Sequence, residues 1–337
     1  MDDNRRVGIL GAGYTVPANI RTNDDPIFDW LRQNTPPDQS LFVGYDRRHV
    51  LSPGETLDDI MIPAATRALD AAGVAARDID LLLGYASVSE FIMPNALARV
   101  HHALNLPARC WILPLNNEYS NFNAAVVLAT AMIESGRAAN ALIVCGGNWT
   151  QYVNYHTPQS VSAADGAGAA VVGRTADPSR FVVVDYENET QSGSYGVMYM
   201  QPDPITGTAA TGAGTSAQPA FTRPYFHITQ AGFEEFQQFG GNVPPQVVKR
   251  LLDRHGLTGS DITLIAHQTS AGLITLWKNA IQPALFLESL QTMANMTLAS
   301  IPVNLACFYD RIQTPHLVLL GIGPELHTNA VLLRRDG

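Results

Sequence analysis

One stretch of this chain occurs twice. Leu69-Asp70-Ala71-Ala72-Gly73, followed by Asp78-Ile79-Asp80-Leu81 and then Ser87, returns at a constant offset of 183 residues. The second copy is Leu252-Asp253-Arg254-His255-Gly256, then Asp261-Ile262-Thr263-Leu264 and Ser270. Each copy reads as a helix closed by a glycine cap, a short loop and a buried strand. A second echo keeps the same order: Ala139 to Gly147 and His316 to Gly323 are apolar strands that run into glycines. Two matches in one order point to a duplicated α/β unit. The duplication predicts two halves, residues 1–175 and 176–337, with the seam at Arg174 to Arg180, where Asp177 and Pro178 break the pattern.

Strands alternate with long periodic segments. Thr56 to Ala72, Asn123 to Gly136, Pro244 to His255 and Ser270 to Ile281 carry helical spacing. Alternation of this kind implies a mostly parallel or mixed sheet covered on both faces. Thr206 to Ala220 is small, polar and glycine-rich, and reads as a surface loop.

Composition narrows the function classes. The chain has 337 residues, 46% apolar and 15% charged, as expected of a globular protein with a large core. A formal net charge of −9 argues against nucleic acid as the partner, because phosphate binding needs clustered Lys and Arg. No apolar run approaches the roughly 20 residues that cross a bilayer, and the start, Met1 to Leu10, lacks the longer apolar region of a leader. Three cysteines predict a reducing, cytoplasmic setting, with Cys110, Cys145 and Cys307 buried for packing. No spacing of Cys, His and carboxylates suggests a metal site.

Several motifs then fall in a telling order. Tyr45-Asp46-Arg47-Arg48-His49 precedes Gly54-Glu55-Thr56. Asp165-Gly166-Ala167-Gly168-Ala169-Ala170 follows, then Ala266-His267-Gln268, Ala294-Asn295-Met296-Thr297 and Gly321-Ile322-Gly323-Pro324-Glu325. Together they resemble the thiolase superfamily, and within it the type III β-ketoacyl synthases (FabH type). The first motif resembles that family's entrance helix, the second its Asp-Gly-Ala-Gly-Ala segment, and the last its glycine-rich end loop. The resemblance implies a five-layered αβαβα thiolase fold, an acyl thioester of acyl carrier protein or coenzyme A as substrate, no cofactor, and a homodimer.

The family's triad is Cys-His-Asn. His267 and Asn295 match its last two members. The cysteine position falls on Tyr119, with Glu118 and Ser120 as neighbours that could occupy it, and none of the three is Cys. The resemblance places Glu118, Met93 and Trp30 along the substrate path, Met93 as a residue reaching toward a partner subunit. An arginine that helps dock carrier protein in the family is Gly272 here, and Pro324-Glu325 replaces Gly-Gly.

A thiol suits acyl transfer because a helix N-terminus lowers its pKa. Tyr119, with an ordinary pKa of about 10, and Ser120 are far weaker acids. Three routes remain. Ser120 or Tyr119 takes the acyl group with His267 as base. Alternatively, His267 activates an acceptor beside a bound thioester. In the third route, His267 and Asn295 bind an enolate oxygen during decarboxylation. The expected function is therefore acyl transfer in a fatty-acid- or polyketide-type specialised pathway. A decarboxylase- or cyclase-like enzyme and a non-catalytic subunit of a heterodimeric synthase are the alternatives.

Overall fold

The computed structural model describes residues 6–204 and 221–336, so the glycine-rich stretch 206–220 lies outside the described residues. Fourteen strands follow in chain order: β1 (Arg6–Thr15), β2 (Ile20–Thr22), β3 (Arg47–His49), β4 (Leu81–Ser87), β5 (Trp111–Pro114), β6 (Asn140–Asn148), β7 (Asp165–Thr175), β8 (Val182–Thr190), β9 (Met198–Pro204), β10 (Phe221–Ile228), β11 (Ile262–Ala266), β12 (Leu285–Leu287), β13 (His316–Gly323) and β14 (His327–Arg334). The helices are α1 (Asp29–Asn34), α2 (Asp58–Ala72), α3 (Leu97–Ala103), α4 (Asn121–Glu134), α5 (Gln230–Arg254), α6 (Ala271–Ile281), α7 (Leu290–Met293) and α8 (Ser300–Phe308).

Ten strands form one sheet in the order β12-β11-β13-β14-β8-β1-β7-β6-β4-β5. Its two wings repeat one pattern. In the first, β4 lies parallel to β5 and β6, β6 antiparallel to β7, and β7 antiparallel to β1. In the second, β11 lies parallel to β12 and β13, β13 antiparallel to β14, and β14 antiparallel to β8. The wings meet at Gly8 and Val182, where the Ile9 amide donates to the Phe181 carbonyl at 2.9 Å. The repeated sequence maps onto this symmetry. Gly73 and Gly256 follow α2 and α5 with φ of 63° and 64°, a left-handed cap that glycine adopts without steric cost.

The apolar side chains divide into layers. Ile60, Met61, Ala64 and Ala68 of α2 cover the outer face of the first wing, against Leu82, Leu142 and Val171. Val247, Val248 and Leu251 of α5, with Trp277 of α6, cover the outer face of the second, against Leu264, Val318 and Leu320. Between the wings lie α4 and α8, whose Phe122, Val126, Ala129, Ile301 and Leu305 touch Leu83 and Ile143 on one side and Ile265 and Leu319 on the other. The result is the expected αβαβα arrangement. An interior helix needs apolar residues all round rather than one stripe, and the run Asn121-Phe122-Asn123-Ala124-Ala125-Val126-Val127-Leu128-Ala129 supplies them.

Two local expectations are corrected. Arg47–His49 forms a strand paired with Ile20–Thr22, and the helix it leads to begins at Asp58. Helix α5 starts at Gln230 rather than at Pro244, where the periodic stretch begins. Pro244 lacks the N–H that would bond the Gly240 carbonyl. The buried Trp277 indole donates to that carbonyl instead, at 2.7 Å, so the helix passes through its prolines.

The Asp165–Ala170 motif is a packing device. Asp165 is buried and accepts hydrogen bonds from the Leu51 and Thr150 amides at 2.8 and 2.9 Å; burial pushes its carboxyl up to about 6. Downstream, a Cβ on Gly168 would sit 2.6 Å from the Val303 backbone nitrogen and 2.7 Å from the Pro302 carbonyl carbon, so only glycine lets α8 lie this close to β7. Gly168→Val should therefore destabilise the chain by on the order of 1–3 kcal/mol or more in denaturant titration. Gly272→Ala, in the open first turn of α6 with no atom within 4 Å, should leave the midpoint unchanged or raise it slightly. Equal midpoints for the two variants would contradict this packing account.

Candidate active site

The central helices fix the site, because their starts abut the strand ends of the opposite wing. A single 3-10 turn, Glu118–Ser120, leads into α4, and a matching turn, Thr297–Ala299, leads into α8. Glu118, Tyr119 and Ser120 therefore face the Asn295–Thr297 segment across the middle of the molecule. His267 directly follows β11, where its amide donates to the Leu320 carbonyl at 2.8 Å. The Tyr119 and His267 rings stack, with centroids 4.8 Å apart and planes within 7°. The structure thus brings together the sequence-predicted residues Glu118, Tyr119, Ser120, His267 and Asn295. Met93 is 81% exposed beside the fully exposed Ile92, and Trp30 stacks on His156 at 4.5 Å.

His267 has no exposed surface, and neither ring nitrogen makes a hydrogen bond. Burial lowers its pKa to about 3, with the Thr297 backbone acting weakly in the opposite direction. The ring is thus neutral at physiological pH: a poor base, but an able N–H donor. Asn295 is held on both sides. Its amide donates to the Ser162 carbonyl at 2.8 Å, and its Oδ1 accepts from the Thr297 amide at 2.9 Å. That bond caps the following turn and makes Nδ2 the end left to donate.

Sequence reasoning passed over the support beneath this pair. Gln268 is buried; its Oε1 accepts from the Ser289 amide at 3.1 Å and from Asn304 Nδ2 at 2.8 Å, while its Nε2 donates to the Ala294 carbonyl. Ser289 Oγ closes the network by donating to Asn304 Oδ1 at 2.6 Å. Ala294 and Thr297 have φ of 52° and 51°, values unfavourable to residues with a Cβ. The Gln268 network holds that bend, and with it Asn295, next to His267. The only advance signal was Gln268 itself, directly after the histidine.

The acidic residues divide by environment. Glu118 keeps some exposure, but the surrounding protein solvates its charge poorly, and Glu325 lies near; its carboxyl is pushed up to about 7. Glu325 moves the other way, below the usual carboxylate range, chiefly through His327. Burial, Glu118 and Glu325 all raise the Tyr119 phenol. Burial also raises the Cys145 and Cys110 thiols, to about 12 and about 11, so neither serves as a thiolate. Among the described residues no group of three or more His, Cys, Asp and Glu side chains could hold a metal ion, and no helix is long and apolar enough to cross a membrane.

Glu118 keeps its proton to about pH 7 when folded, against 4.5 for an ordinary glutamate. The folded chain therefore binds more protons between those values. The resulting stability is complete below about pH 4.5 and is lost as the pH rises through about 7. Glu118→Gln retains the neutral form at every pH. Its Tm relative to the parent should rise more near pH 8 than near pH 5, and equal differences at the two would refute a buried neutral Glu118.

Residues 114–191 match the family model for 3-oxoacyl-[acyl-carrier-protein] synthase III. The β-ketoacyl-[acyl-carrier-protein] synthase III of Clostridium perfringens is 25% identical over 97% of this chain and 98% of its own. A second such synthase, from Streptomyces avermitilis, is 27% identical over the same shares. The crystal structure of the priming β-ketosynthase of the R1128 polyketide pathway superposes with a TM-score of 0.83 at 20% identity, covering 100% of this chain and 98% of its own. With the duplicated sheet, the interior helices and the His267–Asn295 pair in place, the chain is similar along nearly its whole length to the type III β-ketoacyl synthases, and shares the fold of the priming β-ketosynthase.

Proposed function

We propose that this chain transfers an acyl group from a thioester of acyl carrier protein or coenzyme A in a fatty-acid- or polyketide-type specialised pathway. His267 and Asn295 are the pair that binds the thioester oxygen. The observation that carries this reading is His267, a fully buried neutral imidazole whose two nitrogens have no partner. An unsatisfied buried donor is costly unless a ligand completes it. A carbonyl oxygen that gains negative charge along the reaction is the natural acceptor. The curated relatives' names supply the carrier protein as substrate class. The proposed chemistry draws on donors and a thioester, and needs no cofactor.

Neutral His267 makes the oxygen-binding role better supported than general base catalysis. The same property suits decarboxylation of a malonyl-type thioester, which would release carbon dioxide and leave no mass on the protein. The parallel Tyr119 ring favours a different reading, a non-catalytic subunit whose pocket is plugged. Thioester turnover by the purified chain alone would remove that one.

His267→Ala should lower acyl-thioester turnover at least tenfold, and about 10²–10³-fold if its single N–H binds the developing oxyanion. The parent's pH profile should show no step near the ordinary histidine pKa of 6.5 that is lost in this variant. Unchanged turnover would sink the role of His267.

Phe91, Ile92 and Met93 are 59%, 100% and 81% exposed, an apolar cluster of the kind buried at subunit interfaces. We propose a homodimer joined there. Ile92→Glu should shift the chain from dimer to monomer in sedimentation or light scattering. A parent that is already monomeric at micromolar concentration would overturn this.

A further inference from the structure

Ser120 occupies the N-cap of α4, the position where a serine hydroxyl ordinarily bonds the helix's own free amides. It makes no such bond. Its side chain turns away from the helix into a buried cluster. There Oγ forms a short hydrogen bond with His327 Nε2, and lies 2.7 Å from the side-chain oxygen of Asn117 and 3.0 Å from its carbonyl. The opposite nitrogen of the same imidazole, Nδ1, lies 3.0 Å from a carboxylate oxygen of Glu325, which sits off the ring N–H axis. The serine hydroxyl is thus bonded to one nitrogen of the ring, and the carboxylate lies beside the other. Two glycines of β13 make the room. A Cβ on Gly321 would meet Ser120 Cβ at 2.5 Å, and one on Gly323 would meet His327 Cε1 at 2.0 Å.

We propose that Ser120 is the acyl-accepting nucleophile of this chain, with His327 as its general base and Glu325 as the positioning residue that orients the imidazole. The base is therefore the strand histidine 207 residues from Ser120 in sequence, and not His267. The tautomer follows from the neighbours. A carboxylate cannot donate, so Nδ1 carries the proton that faces Glu325, and Nε2 is left with a free lone pair. One hydroxyl proton serves one acceptor, and imidazole is far more basic than the two Asn117 oxygens, so Ser120 donates to Nε2. The fourteen-residue helix that begins at the next residue adds its positive end where negative charge develops.

The first step balances as follows. Ser120 Oγ attacks the thioester carbonyl carbon and its proton passes to His327 Nε2. The tetrahedral intermediate expels the thiolate, which leaves as the thiol after taking that proton, and an ester remains on Ser120. An acceptor hydroxyl, amine or water then attacks the ester by the reverse sequence. This inference rests on the proposed function for its acyl donor.

The test has two arms, both read by intact mass and peptide mapping of the full chain. An alkyl fluorophosphonate phosphonylates base-activated serines whatever the natural substrate is. It should label Ser120 in the parent. Labelling should vanish in Ser120→Ala, fall at least a hundredfold in His327→Ala, and persist in His102→Ala, a control on the exposed face of α3. Glu325→Gln should label more slowly, and Glu325→Asp, which restores the carboxylate, should recover most of the rate. A merely structural Glu325 would be served as well by glutamine as by aspartate. Acyl thioesters form the second arm: Ser120→Cys should still be acylated, whereas Ser120→Ala should not. No Ser120 label in the folded parent, or labelling that survives His327→Ala, overturns the proposal, as does thioester turnover that Ser120→Ala leaves intact. Labelled Ser120 with no thioester consumed would instead refute the proposed function and leave the nucleophile standing.

Discussion

The burial of α4 and α8 between the two wings of the sheet sets most of what this molecule can do. A helix covered on every side cannot slide or tilt without breaking packing against both wings, because protein interiors tolerate little rearrangement. The N-terminal ends of these helices are therefore among its best-fixed points. The candidate site lies there, between two matched 3-10 turns. The close approaches at Gly168 against Val303 and at Gly321 against Ser120 follow from the same demand. A thick side chain at either would push a central helix away from a strand, and the two turns would no longer face each other.

Duplication supplied two such helices, and the site uses their non-equivalence. One wing contributes the turn with Glu118, Tyr119 and Ser120. The other contributes His267 from a strand end, Asn295 from the bend before α8, and His327 and Glu325 from the hairpin of β13 and β14. Polar ties cross the gap. Asn123 Nδ2 donates to the Leu319 carbonyl at 3.0 Å and to Asn329 Oδ1 at 2.9 Å, and Asn329 Nδ2 donates to the Ser120 carbonyl at 3.4 Å. A site split between two halves is complete only when both have folded and docked, so chemistry and global stability are coupled.

Much of this was legible in the sequence, and the exceptions are instructive. The 183-residue repeat carried the pseudo-symmetry, and its glycines fell on matching caps. The His267 and Asn295 motifs led to the centre through their resemblance to the family's His and Asn motifs. His327 and Glu325 gave no comparable sign. They reach Ser120 only through antiparallel pairing of β13 with β14 and the packing of α4, contacts that span some two hundred residues and leave no periodicity. The Gln268–Ser289–Asn304 network was hidden for the same reason. The start of α5 lies fourteen residues before the periodic stretch read from Pro244, and only the fold reveals that Trp277 satisfies the carbonyl Pro244 leaves free.

Several unfavourable features converge in one place. Glu118 has a φ of 38°, a carboxyl pushed toward neutrality and an acidic neighbour. Ala294 and Thr297 have left-handed backbones. His267 leaves two buried nitrogens unpaired, and Ser120 forgoes the helix cap its position offers. Each costs about 1–3 kcal/mol by ordinary measures. Space filling alone would relax them: an apolar residue at 267 or an alanine at 118 would pack without orphaned groups. The rest of the molecule, with its close-packed central layer, holds these residues in a state they would not adopt alone. Strain of this kind concentrates where a ligand completes it. It therefore weighs toward a working acyl site and against a pocket closed by Tyr119, whose ring can leave His267 at the cost of one stacking contact.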